Sequence, residues 1–281
     1  MRISLVVTTR NRSAQLADSL AQWQKIEAPD GGWELVVVDN GSTDATRAVL
    51  DAHVGVLPLT IATEPKPGAG RGHNAGWRAS RGEVIAFIDD DCYPAPDFLS
   101  AVLRRFDEES EVGFVGGRVL LHDHDDYPIT IQRSEEHRKF FPGEFLGPGI
   151  IHGANLSFRR STLEAISGYD PALGPGTPFS GDDIDAQCRA LVAGFIGAYD
   201  PRIVVYHHHR RRGEREVNRL KRSYDVGRGA YYARQIVFEP SLRYEYARNW
   251  YWQIRVHPWK RTLRELQGAG YYLLRRALRI T

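Results

Sequence analysis

The chain has 281 residues, of which 42% are apolar and 26% charged, with a net charge of +2. This is enough apolar matter for a sizeable core, and it excludes a disordered or collagen-like chain. No uninterrupted apolar stretch reaches the roughly 18 residues of a membrane-crossing helix.

The net charge conceals an asymmetry. Residues 207–281 hold 18 Lys and Arg against 6 Asp and Glu, a balance of +12, while residues 1–206 stand at −10. The division predicts two modules with different partners, one over 1–210 and a basic, aromatic extension over 211–281. Met1-Arg2-Ile3-Ser4 carries no secretory pattern, and Cys92 and Cys188 follow no metal spacing. A reduced cytoplasmic setting is therefore expected.

Ile3–Thr8 reads as a first strand, apolar on both faces as in a covered parallel sheet. Ser13 is expected to cap a helix that carries Leu16, Leu20 and Trp23 at helical spacing. A second strand, Trp33–Val38, ends in Asp39-Asn40-Gly41-Ser42-Thr43-Asp44, the cap of a helix over 45–53. A third strand is expected over 56–62, then a Pro/Gly-rich loop over 65–72 and a short helix over 73–80. The apolar run Val84–Ile88 reads as a buried strand that delivers Asp89-Asp90-Asp91 at its C-terminal end. This rhythm predicts a Rossmann-like, mainly parallel open α/β sheet flanked by helices.

In such a sheet ligands bind outside the carboxyl ends of the strands, where the acid triplet falls. Adjacent carboxylates raise one another's pKa unless a cation lies among them. Hard divalent cations take ligands of this kind together with substrate phosphates. Taken alone, a solvated acidic turn is the plainer reading. Gly68-Ala69-Gly70-Arg71-Gly72 lacks the third glycine of a dinucleotide loop and follows the wrong strand. A flexible loop that sets Arg71 against a phosphate is the more economical reading.

A helix over 97–109 and a strand over 112–121 follow, then an irregular stretch, 122–148, expected to line a pocket. Gly153–Arg159 reads as a strand entering a helix. Gly181-Asp182-Asp183-Ile184-Asp185 opens another helix, and on the plainer reading its acids only compensate the helix dipole. A strand near 203–206 ends in His207-His208-His209, which could bind metal or simply continue a basic surface into Arg210–Arg212. From Glu214 the chain reads as helical. Leu266, Ala269, Gly270, Leu273, Leu274, Ala277 and Leu278 make an apolar stripe flanked by Arg264, Arg275, Arg276 and Arg279.

These motifs, in this order, resemble family 2 glycosyltransferases of the GT-A fold. Val6-Val7-Thr8-Thr9-Arg10-Asn11-Arg12 resembles the family's opening strand and loop, with Thr8 and Arg10 replacing a proline and a tyrosine. Val37–Asp44 resembles its second motif. Asn74-Ala75-Gly76 resembles Arg-Asn-x-Gly, with His73 where arginine is usual. Asp89-Asp90-Asp91 matches Asp-x-Asp, Gly181–Asp185 resembles Gly-Glu-Asp-x-Asp, and His207 matches a metal-completing histidine.

The resemblance implies an inverting, nucleotide-sugar-dependent enzyme. Its donor half spans about 1–118 and its acceptor half about 119–210. Asp183 falls on the catalytic base. Thr8, Thr9, Arg10, Asp39, Arg71, Asn74, Asp89 and Asp90 fall on the donor nucleotide, with Asp39 at the nucleobase. Asp89, Asp91 and His207 fall on a divalent metal, Mn²⁺ or Mg²⁺, and Asn155 and Asp182 on the acceptor side. The expected activity is transfer of a sugar, from a UDP-sugar before other nucleotide sugars, to a saccharide or glycolipid hydroxyl in surface polysaccharide or glycolipid assembly. The competing classes are a non-catalytic sugar-nucleotide-binding protein and a sugar nucleotidyltransferase. The latter would carry a glycine-rich, lysine-bearing loop after the first strand, and Thr8–Arg12 holds neither residue. The extension is expected to dock on the catalytic unit and offer its basic, aromatic face to the cytoplasmic face of an anionic membrane, against a plain packing role. Nucleic acid is not an expected partner.

Overall fold

The computed structural model describes residues 1–278, so Arg279 lies outside the described residues. In chain order the elements are β1 (Ile3–Thr9), α1 (Ser13–Trp23), β2 (Trp33–Asp39), α2 (Thr46–Asp51), β3 (Leu59–Thr63), α3 (Ala69–Ala79), β4 (Val84–Asp89) and β5 (Cys92–Pro94). Then come α4 (Phe98–Glu108), β6 (Val112–Leu121), β7 (Arg138–Phe140), β8 (Leu156–Arg159), α5 (Arg160–Ala165), α6 (Asp182–Val192) and β9 (Ile196–His207). Three helices end the chain: α7 (Glu214–Phe238), α8 (Arg243–Val256) and α9 (Trp259–Ala277).

The strands join in one sheet in the order β3-β2-β1-β4-β8-β6-β9-β5, with β7 also on β9. β3, β2, β1 and β4 are parallel throughout. The mainly parallel expectation is corrected beyond β4. There the four-residue β8 runs antiparallel to both β4 and β6, β6 and β9 are parallel, and β5 and β7 pair antiparallel with β9.

Alternation along β1 explains why both faces are covered. Leu5 and Val7 pack with Leu16, Trp23, Phe98 and Val102 on the α1/α4 face. Val6 packs with Trp77, Phe158, Leu163 and Leu191 on the α3/α5/α6 face. Each such fully buried side chain contributes about 1.5–3 kcal/mol.

Three local expectations change. Ser13 is the first helical residue of α1, and its N–H is taken by Asp44, which also receives the Thr46 N–H. The third strand is shorter than expected, starting at Leu59. The Gly-rich stretch is not a loop: α3 already begins at Ala69. Its glycines serve close packing, because a Cβ on Gly72 would collide with Thr8 and one on Gly76 with Val6.

The C-terminal helices dock on the catalytic sheet. Tyr231, Tyr232 and Tyr246 are buried beside Leu146, and the Tyr231 hydroxyl donates to the Leu146 carbonyl over 3.1 Å. Trp250 stacks on Tyr232 with centroids 5.5 Å apart. The predicted stripe on α9 divides. Ala269 and Leu273 pack inward beside the buried Tyr272, whereas Leu266, Gly270, Leu274, Ala277 and Leu278 face outward. Of the flanking cations, Arg264 pairs with Asp225 at 2.7 Å, Arg276 stands 3.8 Å from Asp170, and Arg275 donates to the Tyr271 hydroxyl.

Candidate active site

The carboxyl ends of β1 and β4, the start of α6 and the end of β9 converge on a cavity of about 590 Å³. Thr8, Thr9, Arg10, Asp89, Asp90, Asp91, Asp182, Asp183 and His207 all line it. A larger trough of about 750 Å³ lies behind β5 and β9, lined by Pro94, Pro96, Leu120 and Tyr206. Its described lining gathers no carboxylate, whereas the smaller cavity gathers Asp89, Asp90, Asp91, Asp182 and Asp183.

Asp90 and Asp91 emerge from β4 against the loop after β1. Asp90 accepts from Thr9 Oγ1 at 2.6 Å and from the Arg12 guanidinium, which also reaches Asp91 Oδ2 at 3.0 Å. Asp91 Oδ1 lies 3.1 Å from His207 Nε2, and the His207 ring is aligned by Thr130, whose carbonyl is 3.3 Å from Nδ1. Arg12 and His207 together hold Asp91 well below the usual carboxylate range despite its burial, and the acids in turn raise the His207 pKa.

Asp89 accepts no side-chain hydrogen bond and forms no ion pair among the described residues. Burial and the neighbouring Asp91 push its pKa up to about 6. Ligand atoms of Asp89, Asp91, Cys92 and His207 lie within 4.8 Å of one another. A divalent cation fits this set: it would satisfy the unpaired carboxylate and relieve the crowding. Burial and both acids raise the Cys92 thiol well above its usual pKa, which leaves two oxygens and one imidazole as the donors.

Across the cavity, Asp183 opens α6. Its Oδ2 accepts the Gly153 N–H at 2.9 Å and its Oδ1 the Ile184 N–H at 2.8 Å, so its orientation is fixed while lone pairs stay open. Its neighbour is set apart electrostatically. Burial and the charge of Asp183 push Asp182 up to about 8, and Asp182 Oδ2 stands 3.7 Å from His73 Nε2. Burial takes His73 down to about 4, and its Nδ1 lies 3.2 Å from Thr8 Oγ1. At neutral pH this buried corner carries no net charge, and the side chain of Asp183 stands beside it.

Four expected contacts stand outside the lining. Asp39 is buried and accepts the Ser42 N–H; its neighbour Asn40 faces the cavity instead. Arg71 lies in the first turn of α3, off the cavity, because the helix starts four residues earlier than expected. Asn74 spends its amide on the Tyr169 backbone and the Trp77 indole. Asn155 is fully buried and donates to the Arg118 and Ile203 carbonyls, which ties β6 to β9.

The three histidines point three ways. His208 leaves the site to meet the Tyr93 hydroxyl at 3.0 Å, and His209 Nε2 donates to the Tyr127 carbonyl. Sequence reasoning missed Arg12, although it stands in the quoted opening motif, because its carboxylate partners lie 78 and 79 residues away. It also missed Arg211, Leu220, Ser223 and Tyr224, which line the cavity from the loop before α7 and from α7 itself.

A glycosyltransferase of Haloferax volcanii, AglE, is 25% identical over 81% of this chain and 72% of its own length. The pre-mycofactocin glycosyltransferase of Mycobacterium tuberculosis is 25% identical over 74% of this chain, which spans 43% of that relative. Among solved structures, the mannosyltransferase PcManGT from Pyrobaculum calidifontis, in complex with GDP-Man and Mn²⁺, superposes with a TM-score of 0.69 at 21% identity, over 99% of this chain and 75% of its own. S. aureus TarS 1–349 in complex with UDP-GlcNAc gives 0.61 at 19% identity, over 85% and 67%. These likenesses show the GT-A fold. The profile of Glycosyl transferase family 2 matches residues 4–166, and the chain accordingly belongs to that family and is a glycosyltransferase.

Proposed function

We propose that the chain moves a sugar from a nucleotide sugar, a UDP-sugar in first place, to a saccharide or glycolipid hydroxyl in polysaccharide or glycolipid assembly, with inversion at the anomeric carbon. The observation that carries this reading is one cavity that holds a metal-competent set, Asp89, Asp91 and His207, opposite a single anchored, open carboxylate, Asp183. A Mn²⁺ or Mg²⁺ ion held by that set would neutralise the charge of the leaving diphosphate. Thr8, Thr9 and Arg10 flank the donor, with Asp39 behind the nucleobase end. Arg12 holds Asp90 and Asp91 in place, and Asn74 acts through Tyr169 and Trp77 without touching the donor. Asp183 takes the proton of the attacking hydroxyl. With Asp89 and Asp91 spent on the cation, one base and no nucleophile correspond to a single displacement. The test is a panel that includes UDP-GlcNAc and GDP-mannose with Mn²⁺. Release of nucleoside diphosphate and a product of inverted anomeric configuration are expected. Binding without turnover, or pyrophosphate chemistry, would sink the reading, and a retained configuration would sink the single displacement.

We also propose peripheral binding to an anionic bilayer through α8 and α9. Among the described residues no helix is long and apolar enough to cross a membrane. Trp252 and Trp259 are 58% and 70% exposed, and Leu263, Leu266 and Leu274 continue outward along α9. Arg255 and Lys260 border them, and each cation near an anionic surface adds about 1 kcal/mol. Tryptophan favours the headgroup level. Co-sedimentation with phosphatidylserine vesicles should fall with added salt and with Leu266→Glu combined with Leu274→Glu. Point changes are preferred to truncation because Ala269 and Tyr272 are buried. Equal recovery in the supernatant with and without anionic lipid at low salt would leave a packing role alone.

A further inference from the structure

The first turns of α7 complete the catalytic cavity. Leu220, Ser223 and Tyr224 lie on one helical face and line it beside Arg211. The helix is seated backbone against backbone. A Cβ on Gly227 would collide with Ser180 Oγ and fall 2.6 Å from the Ser180 carbonyl, in the loop that leads into Gly181-Asp182-Asp183. Gly227 is one turn from Tyr224, so this close contact fixes the tyrosine beside the base.

Tyr224 lines the same cavity as Asp183, Asp89 and Asp91, and the charges of all three acids act on its phenol, opposed by that of Arg211. Its hydroxyl makes no hydrogen bond among the described residues, and the residue is half-buried in the cavity wall. Burial and the acids raise its pKa, so the proton stays on and the group is a donor rather than a second base. An unpartnered donor in the wall of a ligand cavity is free to orient a bound ligand.

We propose that Tyr224 is a specificity-determining residue for the acceptor: its hydroxyl donates to an oxygen adjacent to the attacking one, which selects a vicinal polyol such as a sugar ring over an isolated alcohol. This rests on the transfer reading above and names the acceptor class within it. The test uses wild type with Mn²⁺ and whichever sugar nucleotide it cleaves, offered glycerol and ethanol at equal concentration. Mass spectrometry of the glyceryl and ethyl glycosides gives a partition ratio that does not depend on the total rate. Wild type should favour glycerol about tenfold, the discrimination one hydrogen bond supplies. Tyr224→Phe keeps the ring and should bring the ratio close to one per attacking hydroxyl. A wild-type ratio without preference, an unchanged ratio in Tyr224→Phe, or hydrolysis with no glyceryl product overturns the proposal. Failure of wild type to release nucleoside diphosphate from any donor overturns the transfer reading instead.

Discussion

Replacing Asp183 by asparagine is expected to lower transfer by about 10²–10⁴-fold, the usual worth of a positioned general base. The substitution is less conservative than it looks. Both carboxylate oxygens of Asp183 accept backbone N–H groups, from Gly153 and Ile184. An amide satisfies one and turns its own NH₂ toward the other. A lost hydrogen bond at this half-buried position costs about 1 kcal/mol, so a lower melting temperature should accompany the kinetic loss. The two effects separate cleanly: at a temperature where the variant is folded, donor affinity should stay within about threefold while turnover collapses. An equal fall in affinity would mean that Asp183 binds or supports rather than reacts. Asp182→Asn is the companion variant. A carboxyl held near 8 by burial and by Asp183 is already protonated at neutral pH, so this change should cost far less. A dead Asp182→Asn beside an active Asp183→Asn would exchange the two roles.

Asp91→Ala should abolish turnover and remove the dependence of UDP binding on Mn²⁺. Asp91 is the hub of the acid cluster: one oxygen faces His207 at 3.1 Å and the other faces Arg12 at 3.0 Å. Breaking a buried ion pair from one side typically costs about 3–5 kcal/mol, so the alanine variant will lose stability as well as function. Asp91→Asn keeps the volume and is the fairer probe. Its melting temperature should no longer rise when Mn²⁺ and UDP are added together, whereas wild type should gain by mass action. A variant that is still stabilised by the pair, or wild type fully active in excess chelator, would remove Asp91 from the metal set.

How much of this could be read from the chain depends on the range of each interaction. β1, β2 and β4 are legible because a strand buried on both faces must be a near-continuous apolar run, and Asp89-Asp90-Asp91 is legible because it ends one. The start of α3 is not. Glycines usually punctuate, but here Gly72 and Gly76 are small because Thr8 and Val6 press on them from β1, a contact the local sequence does not record. The early start of α3 carries Arg71 off the cavity. β8 is legible as a strand entering a helix, but its four residues do not record that it runs antiparallel to β4 and β6. Charge composition marks the C-terminal segment as distinct yet gives no sign that α7 walls the active site. That fact rests on the close contact of Gly227 with Ser180.

The sheet's pairing also governs how the protein comes to exist. β1 finds β4 across 81 residues, from Ile3 to Val84, and Cys92 of β5 meets His207 of β9 across 115. Loops of that length must close before their contacts reward them, so folding should be slow and its barrier dominated by chain search. The acids of β4 and the histidine of β9 become neighbours only when the last of these pairings is made. A cation and nucleotide bound as proposed would therefore have no assembled site on the unfolded chain: they would act as clamps on a finished molecule, slowing its unfolding and leaving the rate of refolding almost untouched.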